Sequence, residues 1–214
     1  MKILYLDTSS SFLYTAIIEN NILVAEIKEK LDKDLSSEAL PRISGMFEKT
    51  EIKPTEIDKI IVVNGPGSFT GVRIGLTIAK TFAWAREIPI IQISSLEAMA
   101  LSYTNKNHKY IVPAIDARRN YVFAAIYDVE QETFVMKEQY INLNTLEIAL
   151  ENLPGNHCYL SNDKLNTNSE IIEYSPEILN IVEQSKKREA INPHAVDANY
   201  LKLTEAEEKN DTNA

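Results

Sequence analysis

Two aspartates, Asp7 and Asp116, each close an apolar run, Lys2-Ile-Leu-Tyr-Leu-Asp7 and Tyr110-Ile-Val-Pro-Ala-Ile-Asp116. Carboxylates at strand ends suit Mg²⁺ and phosphoryl chemistry, because hard divalent cations take oxygen ligands. Thr8 and Ser9 follow the first aspartate, and their hydroxyls can bond backbone or an anion. The second aspartate is followed by Ala117-Arg118-Arg119, which supplies two cations instead. Neither aspartate has a neighbouring glycine that would let phosphates approach the backbone. Asp7, Thr8, Ser9 and Asp116 therefore read as a vestigial nucleotide site rather than a working one.

Four of the six glycines, Gly65, Gly67, Gly71 and Gly75, fall in Asn64-Gly-Pro-Gly-Ser-Phe-Thr-Gly-Val-Arg-Ile-Gly75. The β-branched run Ile60–Val63 before them reads as a buried strand, and a helical pattern starts near Ser68. Strand, glycine loop and helix is the layout of a phosphate cradle. The loop nevertheless fits neither standard pattern. A Walker A loop ends in Gly-Lys-Ser/Thr, whereas Val72-Arg73 follow Gly71; the dinucleotide pattern misses by one residue. A tight turn at Gly65, Pro66 and Gly67 explains the loop equally well. The helix beyond it carries Gly71, Gly75, Ala79 and Ala83 every four residues. Glycine inside a helix costs about 1 kcal/mol against alanine, so this bare stripe needs close packing in return. Packing on the chain's own sheet and docking of another helix are both open.

Other chemistries find little support. The three histidines, His108, His157 and His194, are scattered, so no metal site is expected. No serine sits in a nucleophile-elbow pattern, which argues against a hydrolase or peptidase. The single cysteine, Cys158, excludes an internal disulfide and fits a reducing cytoplasm. A net charge of −9 argues against broad nucleic-acid binding, leaving RNA a local contact or one made through a partner. No apolar run approaches membrane-spanning length.

The elements that must position these residues repeat. Without gaps, Asp7-Thr-Ser-Ser-Ser-Phe-Leu-Tyr-Thr-Ala-Ile-Ile-Glu19 lies over Asp116-Ala-Arg-Arg-Asn-Tyr-Val-Phe-Ala-Ala-Ile-Tyr-Asp128. Each copy reads strand, aspartate, polar turn, strand, as after a duplication. Strands are predicted near 2–7, 12–19, 22–29, 59–63 and 89–93, with helices at 37–49, 68–86 and 95–103. Ser36 or Ser37 is a suitable cap for the first helix, with Pro41 in its first turn. After a polar linker at 104–109 come strands near 110–115, 121–128 and 133–141, and helices at 144–151 and 176–187. The expected class is α/β, two lobes of mixed sheets with flanking helices, similar to the actin-like ATPase (ASKHA) superfamily. The expected lobes are 1–103 and 104–214, with an acidic tail frayed from about 204. Leu40, Ile43, Met46 and Phe47 give the 37–49 helix an apolar face.

Asp7-Thr-Ser9, Asn64-Gly-Pro-Gly-Ser-Phe-Thr-Gly-Val-Arg73, Ser94-Ser-Leu-Glu97 and Asp116-Ala-Arg-Arg119 resemble, in order, the motifs of the TsaB (YeaZ) family. The resemblance covers about the first 130 residues and loosens beyond them. It implies a cytoplasmic, non-catalytic relative of the enzyme TsaD, acting in threonylcarbamoyladenosine synthesis at position 37 of tRNA. It further implies a TsaD-type partner, a TsaE-type ATPase in the assembly, and a homodimer through the same helices. The tRNA would be met only through the complex. No cofactor is expected, beyond residual ATP and Mg²⁺ at most. By the same resemblance Leu40, Ile43, Phe47, Gly71, Arg73, Gly75, Ala79 and Ala83 form the partner interface. Family members often open the first helix with His-Ser-Glu, where this chain has Ser36-Ser37-Glu38. The alternative reading is an ATP-dependent phosphotransferase of the actin-like fold, using Asp7 and Asp116.

Overall fold

The computed structural model describes residues 1–202, in two compact units. Unit 1 comprises Met1–Thr104 and Ser175–Ala198; unit 2 comprises Asn105–Tyr174 and the chain from Asn199. The expected fraying from about 204 concerns residues outside the described ones.

Unit 1 is built on strands β1 (Lys2–Asp7), β2 (Phe12–Glu19), β3 (Ile22–Lys30), β4 (Lys59–Val63) and β5 (Ile90–Ile93), ordered β3-β2-β1-β4-β5. The first three pair antiparallel as hairpins; β1, β4 and β5 run parallel, through helical crossovers. Because β1 is central, Ile3, Leu4, Tyr5 and Leu6 are all buried. Helices α1 (Leu35–Thr50) and α2 (Phe69–Arg86) cover the face carrying Leu4 and Leu6. Helix α1 forms because Leu35, Ala39, Ile43 and Met46 recur on one side, and that stripe is buried. Its start differs from expectation. Asp34 takes the N-cap position without a side-chain bond, while the Ser37 hydroxyl donates to the Asp34 carbonyl at 3.0 Å. Pro41 consequently lies in the second turn. Helix α2 is capped at Ser68, whose hydroxyl accepts from the Gly71 N–H at 3.2 Å.

Unit 2 repeats the plan. Strands β6 (Tyr110–Asp116), β7 (Tyr121–Asp128), β8 (Thr133–Asn142), β9 (His157–Leu160) and β10 (Ile171–Ile172) are ordered β10-β9-β6-β7-β8. Read from its first strand outward, each sheet has two antiparallel strands on one side and two parallel strands on the other. Asp7 and Asp116 end the equivalent central strands. Helix α4 (Leu143–Glu151) packs Leu143, Leu146 and Leu150 on Val112, Ala114, Val122 and Ala124.

The sequence reading placed everything after 104 in the second lobe; the structure returns 175–198 to unit 1. Helix α5 (Ile178–Ser185) packs on α3 (Ser95–Ser102). Ile191 then forms an antiparallel bridge with Ile90 at the β5 edge. Val196 enters the unit 1 core. Lys80 donates to the Val196 carbonyl at 2.9 Å, and Asn64 and Gln92 donate to the Asp197 carbonyl at 3.1 and 2.6 Å. These backbone partners leave no mark in side-chain periodicity, so the return was not legible.

Candidate functional site

The turn after β1 is shut. The Asp7 carboxylate is 3% exposed and its Oδ1 accepts the Ser9 N–H at 2.8 Å. The start of α2 lies directly on this turn. The Ser68 N–H donates to the Ser9 carbonyl at 2.7 Å, and the Thr8 hydroxyl donates to the Gly71 carbonyl at 2.7 Å. A Cβ on Gly67 would lie 2.1 Å from Ser9 O, one on Gly71 2.1 Å from Thr8 O, and one on Gly75 2.4 Å from Thr8 Oγ1. Gly65 takes a φ of 97° before the cis bond to Pro66, and its carbonyl accepts the Ser95 N–H at 2.9 Å. Turn and close approach thus use all four glycines.

The interface expected along the bare stripe is therefore corrected. Gly71 and Gly75 are buried against Thr8, and Ala79 and Ala83 have no exposed surface and lie in the unit 1 core. Of the two explanations for small residues there, packing on the chain's own sheet is the one realised. Arg73, on the opposite side of α2, is exposed, with its guanidinium 3.6 Å from the Phe69 ring centroid.

Burial raises the pKa of Asp7, against the two lowering bonds from Ser9. A carboxyl whose folded pKa exceeds its unfolded value favours folding below the unfolded pKa, and that gain is lost as pH rises through the folded pKa. Asp7→Asn keeps the acceptor for Ser9 while removing the charge. It is expected to match or exceed the wild-type stability at pH 7 and to flatten the rise in stability on acidification. Urea unfolding at pH 4 and pH 7 measures both. A variant less stable at pH 7 would mean that the charge itself supports the fold.

Asp116 differs. It is exposed, its Oδ1 accepts the Arg118 N–H at 3.0 Å, and its own N–H donates to Asp163 Oδ2 at 2.8 Å. Each of the two aspartates is engaged within its own unit. Among the described residues no three His, Cys, Asp or Glu side chains converge as a metal site.

One open surface of unit 1 lies between α1 and α2. Leu40, Ile43, Ser44, Phe47, Ile78 and Phe82 line a groove of about 530 Å³. Its floor is the Phe47–Phe82 pair, stacked at 6.1 Å, with Ile43 and Phe47 buried and Leu40 60% exposed on the rim. The apolar spacing of α1 pointed to this face; on α2 it is Ile78 and Phe82, beside the small-residue stripe, that line it.

Sequence reading missed one polar cluster. Glu147 on α4 accepts from Tyr159 Oη at 2.7 Å and Thr167 Oγ1 at 2.6 Å, tying α4 to β9 and the loop after it. His157 Nε2 lies 3.2 Å from Ser169 Oγ, but Glu147 reaches that serine at 3.4 Å rather than the imidazole. Among the described residues no carboxylate orients this histidine as a hydrolytic triad requires.

Two mixed sheets of the same strand order, each with an aspartate ending its central strand, define an α/β protein built twice on one plan. A family model described as TsaD, tRNA N6-adenosine threonylcarbamoyltransferase, matches residues 24–190. The chain is 34% identical to the tRNA threonylcarbamoyladenosine biosynthesis protein TsaB of Bacillus subtilis, over 98% of this chain and 97% of that one. It is 27% identical to the TsaB of Buchnera aphidicola from Acyrthosiphon pisum, over 97% and 91% of the two chains. The structure of YeaZ from Pseudomonas aeruginosa aligns with a TM-score of 0.75 at 19% identity, covering 94% of this chain and 99% of the other, which shows the shared fold. This chain belongs to the TsaB family. No helix among the described residues is long and apolar enough to cross a membrane.

Proposed function

We propose that this protein is a non-catalytic subunit that docks and supports a TsaD-type enzyme in forming N6-threonylcarbamoyladenosine at position 37 of tRNA in the cytoplasm. The observation carrying this reading is the contrast between the two surfaces of unit 1. The turn at Asp7, where an actin-like ATPase would handle phosphate and metal, is filled by α2, while the α1–α2 groove is open and apolar. Exposed apolar surface of this kind, rimmed by polar residues, marks an interaction site. The corrected interface is Leu40, Ile78 and Phe82 over the floor of Ile43 and Phe47, with Arg73 alongside.

The partner enzyme supplies the chemistry, a TsaE-type ATPase joins the assembly, and the chain works without a cofactor of its own. A second copy occupies the same groove when the partner is absent. Leu40→Glu is expected to weaken binding of the TsaD-type subunit at least 30-fold, about 2 kcal/mol for a central anchor, and to leave the melting temperature within a degree of the parent. Titration calorimetry with the purified partner reads the first and circular dichroism the second. Undiminished partner binding by Leu40→Glu would remove the groove from the interface. Tight Mg-ATP binding abolished by Asp7→Ala would instead favour the phosphotransferase reading.

A further inference from the structure

The turn between β6 and β7 is the counterpart, in unit 2, of the closed Asp7 turn, and it is built differently. Arg118, Arg119 and Asn120 have φ of 67°, 54° and 63°, three successive non-glycine residues in the left-handed region. No residue from Thr8 to Ser11 has a positive φ. Left-handed backbone is unfavourable for side chains with a Cβ, and such strain persists only where the surroundings impose it. Here the Ala117 N–H donates to the Tyr121 carbonyl at 2.9 Å, the Tyr121 N–H to the Arg118 carbonyl at 3.0 Å, and the Leu143 N–H to the Asn120 carbonyl at 2.8 Å. Glycine would satisfy this backbone without strain, yet the chain places two arginines there.

Both arginines are exposed, and neither guanidinium has a hydrogen bond or ion pair among the described residues. The nearby carboxylates are turned to the backbone: Asp116 holds the Arg118 N–H and Asp163 the Asp116 N–H. Directly after the turn, the half-buried Tyr121 ring stacks on Tyr140 at 4.7 Å, with Phe123 at 5.6 Å and the Lys202 ammonium 5.1 Å from the Tyr140 centroid. Free cations beside aromatic rings are the combination that holds single-stranded nucleic acid, the cations taking phosphates and the rings a base.

We propose that this turn is a local RNA contact: Arg118 and Arg119 each take a phosphate of a tRNA loop, and the Tyr121–Tyr140 edge takes an unstacked base. The inference rests on the function proposed above and names the part of this chain that meets the RNA. Two charges on an otherwise acidic chain give a weak contact that positions an RNA already held by the partner enzyme.

The test uses the complex reconstituted from the full chain, the TsaD-type subunit and the TsaE-type ATPase, with an unmodified transcript carrying adenosine at position 37. The double variant Arg118→Gly/Arg119→Gly is expected to melt at a higher temperature, because the strain is relieved, and to capture the TsaD-type subunit normally. Its KM for the transcript is expected to rise about 10-fold at unchanged kcat, and the salt slope of transcript affinity to fall by about 1.4, for two phosphates on a single strand. Arg118→Lys/Arg119→Lys is expected to restore most of the affinity. A glycine variant with wild-type KM and salt slope overturns the proposal. So does one that loses the protein partner but keeps RNA affinity, since the arginines then dock protein. If the wild-type assembly forms no modified base, the proposed function fails instead; a salt series of transcript binding to the same assembly still reads the arginine pair.

Discussion

Gly71→Ala is expected to destabilise unit 1 by about 3 kcal/mol, the upper range for forcing extra volume into a packed site. The added Cβ would sit 2.1 Å from the Thr8 carbonyl oxygen and 3.3 Å from the Ser68 Cβ. Neither side can yield cheaply. Thr8 directly follows the central strand and is itself bonded to the Gly71 carbonyl at 2.7 Å, and Ser68 caps α2. The control is Gly45 in α1, where a Cβ would meet nothing within 4 Å. Gly45→Ala is expected to stabilise by about 1 kcal/mol through helix propensity alone. Urea unfolding followed by circular dichroism reads both. A Gly71→Ala protein that melts like the parent but no longer captures a TsaD-type subunit would return the glycine stripe to the interface.

Ending the chain at Ala190 is expected to cost unit 1 about 3 kcal/mol or more. The truncation exposes the core site of Val196, worth about 2 kcal/mol of apolar burial. It also removes the paired backbone bonds between Ile90 and Ile191 and leaves Lys80, Asn64 and Gln92 without their carbonyl partners. Each such bond contributes about 1 kcal/mol net, offset in part by the freedom regained by the released segment. The β5 edge, now unpaired, is a template for association, so the truncated protein should also aggregate on concentration. Hydrogen exchange at Ile90 and light scattering test the two effects. Unchanged exchange at Ile90 would mean that the segment lies on the edge without supporting it.

Local pattern carried much of this fold into the sequence. Strands β2 and β7 are legible because the ungapped match from Asp7 to Glu19 over Asp116 to Asp128 places both hairpins in register. Helix α2 is announced by the break at Gly65-Pro66-Gly67 and the cap at Ser68. The short strands β9 and β10 and the return of 175–198 are set by long-range pairing, as between Ile171 and Tyr159, and no local period encodes that. The site divides in the same way. The residue types at Gly71 and Gly75 revealed that something approaches closely, but steric need has no direction. Only the fold shows that the approaching group is Thr8. The tension at Arg118 and Arg119 was equally hidden, since arginine is no signal for left-handed backbone.

The discontinuity of unit 1 has a consequence for synthesis. On the ribosome, every strand of the second sheet, from Tyr110 to Ile172, emerges before the segment that completes the first. At elongation rates of about 5–20 residues per second, the nascent first sheet waits several seconds with its β5 edge bare. The second sheet can form first, and the first sheet closes after it. A cell making this protein therefore has an interval in which the nascent chain is open to chaperones, and arrested chains stopped before and after Ile191 would differ sharply in protease resistance.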